Sequence, residues 1–242
     1  MPPVRGVLLE TGPFDSARQM ALDEALLESS RPNEVILRFY HWPASAPRVN
    51  GATFGYSIPY ERARACARAK GLPDSVPMIR RATGGGVVFH DGDITFSLVF
   101  PWPRLSAPSW VYKNVHLGVH LGLKARNIAS RLWSPARVAA GSREPAMECF
   151  ARAEPADLVR EGGQKCLGGA LRRRRSFGLY QGSFRPEGFG RDPEELRAAA
   201  VDGMRAVWRA EFSLEKCGEG LLEAAERLAR ERYLTDGWNR RR

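Results

Sequence analysis

Several groups of side chains in this sequence carry reactive chemistry. Cys149 closes the stretch Ser130–Glu148, which is rich in Pro, Ala, Gly, Ser and Arg and shows no hydrophobic period. A free thiol ionises near pH ~8.5, so only a few per cent is thiolate at neutral pH, and a nearby cation raises that share. Upstream, Arg80-Arg81-Ala82-Thr83 runs into Gly84-Gly85-Gly86. Three glycines in a row forfeit backbone order. They suit a place where bare N–H groups face a ligand, with two arginines adding positive charge. His90 and Asp93 flank Asp91-Gly92. His116 and His120 share a helical face at a metal-compatible spacing, but the glutamate of the zinc-protease pattern is missing and no third ligand stands out. A bland account competes with each of these. Glycine runs connect elements, arginines are usually solvated, and a lone cysteine does not define a nucleophile.

The elements that must position these groups follow from pattern. Asp91-Gly92 between two apolar runs predicts a hairpin, with Phe89 opposite Ile94 and Val88 opposite Thr95. Val87, Phe89, Ile94, Phe96, Leu98 and Phe100 would then face a core. Val88, His90, Asp93, Thr95, Ser97 and Val99 would line a site. Ser16-Ala17-Arg18-Gln19 reads as a capping box starting a helix near Ala17, with Asp23 and Glu24 on its solvated edge. Strands are expected at 35–40, 48–56, 75–81, 157–160, 164–171 and 177–184, with Arg172–Arg175 as a tip. Helices are expected at 59–70, 109–123, 192–209 and 218–233, and Arg240–Arg242 as a frayed tail. With no repeat or linker, residues 1–242 read as one domain.

Composition narrows the class. The chain has 242 residues, 43% of them hydrophobic, enough for a sizeable core. Four cysteines without CxxC or CxH spacing argue against a zinc site or a disulfide framework. No apolar run nears the roughly 20 residues of a membrane span, and no secretory signal is evident, so the expected location is the cytoplasm. The net charge of +10 favours acidic partners, with nucleic acid one candidate and an acidic protein another. Zinc-finger, RNA-recognition and basic-zipper patterns are absent, so nucleic acid is not expected, nor is a membrane.

RRATGGGVVFHD resembles the signature of the lipoate-protein ligase and octanoyltransferase family, which shares the biotin-protein ligase fold. The continuation His90-Asp91-Gly92-Asp93-Ile94-Thr95-Phe96-Ser97 is more similar to the HDxELTYS of the octanoyltransferases than to the HDxGN of the ligases. MALDEALLE (20–28), Thr53-Phe54-Gly55-Tyr56 and the terminal Tyr233–Asn239 resemble further family segments. The resemblance implies an α/β (α+β) fold, a mixed and largely antiparallel sheet flanked by helices. Gly163-Gln164-Lys165-Cys166-Leu167-Gly168-Gly169-Ala170 looks like the family strand whose lysine faces the acyl carbonyl, and Cys149-Phe150 matches the cysteine before it. Carried over, Cys149 is the acyl-accepting nucleophile, with Lys165 favouring its thiolate and polarising the thioester. Arg80, Arg81, Thr83, Gly84, Gly85, Gly86, His90, Gly168, Gly169 and Gln181 are the implied substrate-binding positions. Cys166, one residue from Lys165, should point into packing. Two residues depart from the pattern: Gly169 stands for a serine and Gln181 for a common histidine. The implied activity moves an octanoyl group from octanoyl-acyl carrier protein to a lysine of a lipoyl domain or glycine-cleavage H protein, with no cofactor. The competing readings are an ATP-dependent ligase holding an acyl-adenylate on Arg80, the glycine loop and Lys165, and a non-catalytic basic binding protein.

Overall fold

The computed structural model of the chain describes residues 4–43, 51–134 and 147–241. In chain order the strands and helices are β1 (Val4–Glu10), α1 (Ser16–Glu28), β2 (Glu34–Phe39), β3 (Ala52–Phe54), α2 (Tyr60–Ala69), β4 (Met78–Arg80), β5 (Val87–Phe89), β6 (Ile94–Pro101) and α3 (Pro108–Ala125). They continue as β7 (Arg131–Leu132), β8 (Leu158–Val159), β9 (Lys165–Arg174), β10 (Phe177–Phe184), α4 (Pro193–Trp208), β11 (Ala210–Lys216), α5 (Glu219–Leu228) and α6 (Asp236–Asn239). The start of the expected 48–56 strand, most of the 130–148 stretch and Arg242 lie outside the described residues.

Eight strands form one sheet in the order β11-β1-β2-β6-β10-β9-β8-β7, parallel at the β11-β1-β2 end and antiparallel through the rest. A second, three-stranded sheet runs β4-β3-β5. One face of the large sheet packs Phe96, Leu98 and Phe100 against residues of α3 and α4. The other packs Val99 and Leu179 against α1 and Ala225 of α5. A sheet covered on both faces reads as continuous apolar sequence, and β6 is buried from Ile94 to Phe100. α3 and α4 touch backbone to backbone: a Cβ on Gly122 would sit 1.8 Å from the Ala199 carbonyl oxygen, and one on Gly203 1.8 Å from that of Gly118.

The expected α/β fold with a mixed, mostly antiparallel sheet is what the chain adopts. The expected hairpin is not. Val87–Phe89 pairs antiparallel with Ala52–Phe54 in the small sheet, whereas Ile94–Pro101 pairs with β2 and β10. Asp91-Gly92 is therefore the crossing from one sheet to the other, and only Gly92 takes positive φ there. A two-residue hairpin of the favoured kind needs more than that. The apolar and polar faces assigned to β6 hold nevertheless, because side-chain alternation depends on the strand and not on its partner.

Other local expectations shift. Asp15, not Ser16, caps α1 through its side chain. Asp23 and Glu24 are buried, not solvated, because α1 lies under the sheet and its acids have partners there: Arg38 for Asp23, Arg232 and Tyr233 for Glu24. β11 follows α4 as an edge strand whose weak, half-exposed alternation gave no sequence signal. The last long helix gives way at Ala229–Tyr233 to a π-helical turn. Arg240 and Arg241 are docked: Arg240 pairs with Asp236, and the Arg241 carbonyl accepts from Arg80 Nη2 at 3.0 Å.

Candidate active site

Cys149 is held where the two sheets meet. Val87 N–H donates to the Met147 carbonyl at 2.7 Å, and Cys149 N–H donates to the Val87 carbonyl at 3.0 Å. The segment thus lies along the edge of β5. Phe150 is fixed by the Arg185 guanidinium 4.8 Å above its ring, a cation–π contact. Lys70 anchors the other side through Glu148 at 2.7 Å.

Lys165 opens β9 and is buried. Its Nζ lies 3.7 Å from Cys149 Sγ and 2.8 Å from Asp157 Oδ2. Asp157 is fully buried and held from three directions. Its Oδ2 also accepts from Glu154 N–H at 2.7 Å, and its Oδ1 accepts from the Tyr112 hydroxyl at 2.5 Å. Gly168 makes this arrangement possible. A Cβ there would lie 2.5 Å from Lys165 Cε, 2.8 Å from Nζ and 3.0 Å from Sγ.

Two cavities meet at the cysteine. The inner one is a tight slot of about 30 Å³. Met20, Tyr40, Val88, Gly168, Ala170 and Gln181 are among its walls. The outer basin, bordered by Arg62, Tyr112, Met147, Arg152 and Asp157, admits water centres over about 560 Å³. Cys149, Gly85 and Gly169 border both cavities, and Lys165 faces the basin. The slot is tight and walled mainly by apolar atoms, whereas the basin is open and far roomier. A thiol at the neck can bind the carbonyl of a molecule whose tail lies in one and whose head lies in the other.

The slot's polar wall is built and satisfied. His90 Nε2 meets Thr53 Oγ1 at 3.0 Å and His90 Nδ1 meets Asp93 at 3.1 Å. Thr95 and Ser183 hydroxyls donate to Asp93 at 2.7 and 2.6 Å. Burial pushes the Asp93 carboxyl up, but His90 and the two hydroxyls outweigh it and hold it below the usual carboxylate range. Arg81 donates to Thr53 Oγ1 and to the carbonyls of Gly84 and Gly86, each within 2.9 Å. It thereby shapes the glycine loop, whose Gly85 sits at φ +84°. Burial lowers Arg81 to about 10, so it stays cationic at neutral pH.

Cys149, Lys165, Arg81, Gly85, Gly86, His90, Gly168, Gly169 and Gln181 thus border the two cavities. Arg80 lies elsewhere. All five of its N–H donors go to backbone carbonyls, those of Tyr56, Ile58, Trp238, Asn239 and Arg241. It clamps the C-terminal segment and has no donor left for a ligand. Thr83 donates to Gln181 Oε1 at 2.6 Å and Gly84 offers its carbonyl to Arg81, so both support the wall. Gln181 Nε2 reaches Asp23 at 2.7 Å. Gly169 has its own reason: a Cβ there would lie 2.2 Å from the Tyr180 hydroxyl and 2.3 Å from its Cζ. Cys166 is buried, and burial drives its thiol up to about 12, consistent with packing. His116 bonds the Tyr180 hydroxyl at 2.8 Å and His120 bonds Ser130 at 3.0 Å, so the two imidazoles serve different partners. Asp157 and Tyr112 escaped the sequence reading, since an aspartate opening a short strand and a tyrosine in an apolar helix carry no local signal.

Residues 15–185 match the family described as the lipoyl protein ligase A/B catalytic domain. Among curated relatives, the octanoyltransferase LipM of Symbiobacterium thermophilum is 32% identical over 189 residues, covering 73% of this chain and 63% of that protein. LipM of Moorella thermoacetica is 28% identical over 231 residues, covering 90% and 78%. The chain therefore spans just under two thirds of the first of these. Among solved structures, protein Ta0514 of T. acidophilum with bound lipoic acid superposes with a TM-score of 0.77 at 21% identity, covering 98% of both chains. Lipoate-protein ligase A bound with ATP gives 0.76 at 22% identity, again covering 98% of both. At these identities the likeness is one of fold.

Proposed function

The chain belongs to the lipoyl protein ligase A/B catalytic domain family, and from that premise we propose that it is an octanoyl-[acyl-carrier-protein]:protein N-octanoyltransferase of lipoate biosynthesis. The observation that carries the proposal is Cys149 Sγ 3.7 Å from Lys165 Nζ, at the neck between a tight inner slot and an open basin. The octanoyl tail occupies the slot, and the carrier's thioester reaches the neck through the basin. Cys149 thiolate attacks the carbonyl carbon. The bond from that carbon to the carrier sulfur breaks, and the carrier sulfur leaves as a thiolate that takes from water the proton Cys149 gave up. A neutral lysine amine of a lipoyl domain or glycine-cleavage H protein then attacks the acyl-enzyme. The C–N bond forms, the C–S bond breaks, and the amine's proton goes to the departing sulfur. Lys165 supports the thiolate and the charge that develops on the carbonyl oxygen. A thioester already holds the energy an amide needs, so ATP takes no part. Acidic carriers suit the +10 chain, and the cytoplasm is the location this reading expects. Among the described residues no helix is long and apolar enough to cross a membrane.

Intact mass after incubation with octanoyl-acyl carrier protein tests the reading. The expected result is one hydroxylamine-labile octanoyl adduct, lost in Cys149→Ala. Octanoylation of the acceptor that needs ATP and survives Cys149→Ala would replace the transferase with a ligase.

A further inference from the structure

The acyl-enzyme proposed above creates a hazard that the site itself must contain. Once Cys149 carries an acyl group, the Lys165 nitrogen lies 3.7 Å from the sulfur bearing it. The thioester carbon would be bonded to that sulfur and so within reach of the nitrogen, and groups brought into alignment at about 3–3.5 Å behave as if present at effective molarities up to roughly 10⁵–10⁸ M. No acceptor lysine arriving from solution competes with that. A neutral Lys165 amine would attack the thioester carbon, break its bond to Cys149 Sγ, lose a proton to water and leave an octanoyl amide on Lys165. The thiol would be free again, but the lysine would be capped irreversibly.

We propose that Asp157 protects the enzyme from this self-acylation, acting as a positioning residue that keeps the Lys165 nitrogen occupied as an ammonium while the thioester stands beside it. The inference rests on the transferase reading of the site. Asp157 Oδ2 lies closer to Nζ, at 2.8 Å, than Sγ does. The carboxylate is wholly buried, and the Tyr112 hydroxyl and the Glu154 N–H fix its two oxygens, so it cannot swing away. Lys165 is itself largely buried, so the fixed carboxylate is its nearest charged partner even though its tip borders the basin. An ammonium has no lone pair for attack, yet it still donates to a thiolate or a developing oxyanion. The same contact therefore keeps the useful half of lysine chemistry and suppresses the harmful half.

The test loads wild-type protein, Asp157→Asn and Tyr112→Phe with octanoyl-acyl carrier protein, without acceptor, and follows intact mass before and after hydroxylamine with peptide mapping. Wild type should hold only the labile adduct on Cys149. Asp157→Asn should accumulate a hydroxylamine-resistant octanoyl group on Lys165, at least about tenfold above wild type, and Tyr112→Phe a smaller excess. Asp157→Asn,Cys149→Ala should form neither adduct. Folded variants whose adduct stays labile and on Cys149 overturn the inference and leave the transferase reading standing. Variants that take up no octanoyl group also overturn it, since Asp157 would then act in the first transfer. Wild type without any labile adduct instead removes the transferase reading.

Discussion

Adding one carbon at Gly168 should disable the site without unfolding the chain. The Cβ of Gly168→Ala would stand 2.5 Å from Lys165 Cε, 2.8 Å from Nζ and 3.0 Å from Cys149 Sγ. Ordinary contact begins at 3.4 Å, so Cε must retreat by about 0.9 Å, Nζ by about 0.6 Å and Sγ by about 0.4 Å. The three atoms cannot all do so and keep the 2.8 Å and 3.7 Å contacts that join them to Asp157 and to each other. All three are ends of side chains, not backbone, so the strain is relieved by moving the reactive groups and the sheet stays in register. A misplacement of about 1 Å can lower a rate by roughly 10²-fold, and one weakened charge-assisted hydrogen bond is worth about 1.5–3 kcal/mol. Both routes give a fall of about 10- to 100-fold in octanoyl transfer. Single-turnover acylation of Cys149, followed by mass, isolates the step from product release, and thermal melting should show a loss of no more than about 1 kcal/mol. Acylation within twofold of wild type would refute the claim that glycine is required here to seat the pair.

Four further outcomes follow from the same geometry. Gly169→Ser meets the Tyr180 ring, not a flexible end, so it should destabilise by about 1–3 kcal/mol and show as a lowered melting temperature. Arg80→Lys leaves three donors for five carbonyls, so stability should fall by about 2–4 kcal/mol while KM for the octanoyl donor is unchanged in protein that stays folded. Met20→Ala should enlarge the slot and shift donor preference towards decanoyl, each added buried methylene gaining about 0.8 kcal/mol, as read from competition between the two carrier thioesters. Burial, with Lys165 adding to it, lowers His116 to about 3, so the folded chain keeps this imidazole neutral where the unfolded chain, near 6.5, takes up a proton. Stability should therefore be lost as pH falls from about 6.5 towards 3, by up to about 5 kcal/mol. His116→Gln should flatten that limb in denaturant titrations.

How much of this was legible in the sequence depended on the range of the interaction. Strand β10 and the α4 cap were readable because alternation and capping are set by neighbours in the chain. Cys149 and Lys165 came from resemblance, since sixteen positions of separation and an irregular segment carry no period that joins them. The hairpin misreading is instructive. Asp91-Gly92 is a sound local turn signal, yet Val87–Phe89 found a longer-range partner in Ala52–Phe54 and the chain left for another sheet. His90 and Asp93 still meet at 3.1 Å, because the same short connection that permits a hairpin also permits a sheet crossing. Asp23 and Glu24 failed as surface residues for a related reason: their partners Arg38 and Arg232 sit 15 and 208 positions away.

The two departures from the family pattern connect through Tyr180-Gln181. Side chains alternate along β10, so Tyr180 faces the core of α3 and α4, where its hydroxyl meets His116, while Gln181 faces the slot and Asp23. The Tyr180 ring stands where a Cβ at Gly169 would go, which excludes serine there on steric grounds alone. Gln181 joins Thr83 of the glycine loop to Asp23 of α1, through one acceptor and one donor of a neutral amide. A histidine could make both contacts only in one tautomer or as a cation beside buried Arg38. The Gly169→Ser defect should therefore persist when Gln181→His is added, because the two changes meet different partners: the serine meets the Tyr180 ring on the core face, and the histidine meets Thr83 and Asp23 on the slot face. Gly169 and Gln181 are diagonal neighbours across β9 and β10, where coupling of about 0.5–3 kcal/mol is common; with their partners on opposite faces, the coupling read from melting of the single and double variants should fall at the low end, about 0.5 kcal/mol. A double variant as stable as wild type would mean that the two positions are coupled through the sheet after all.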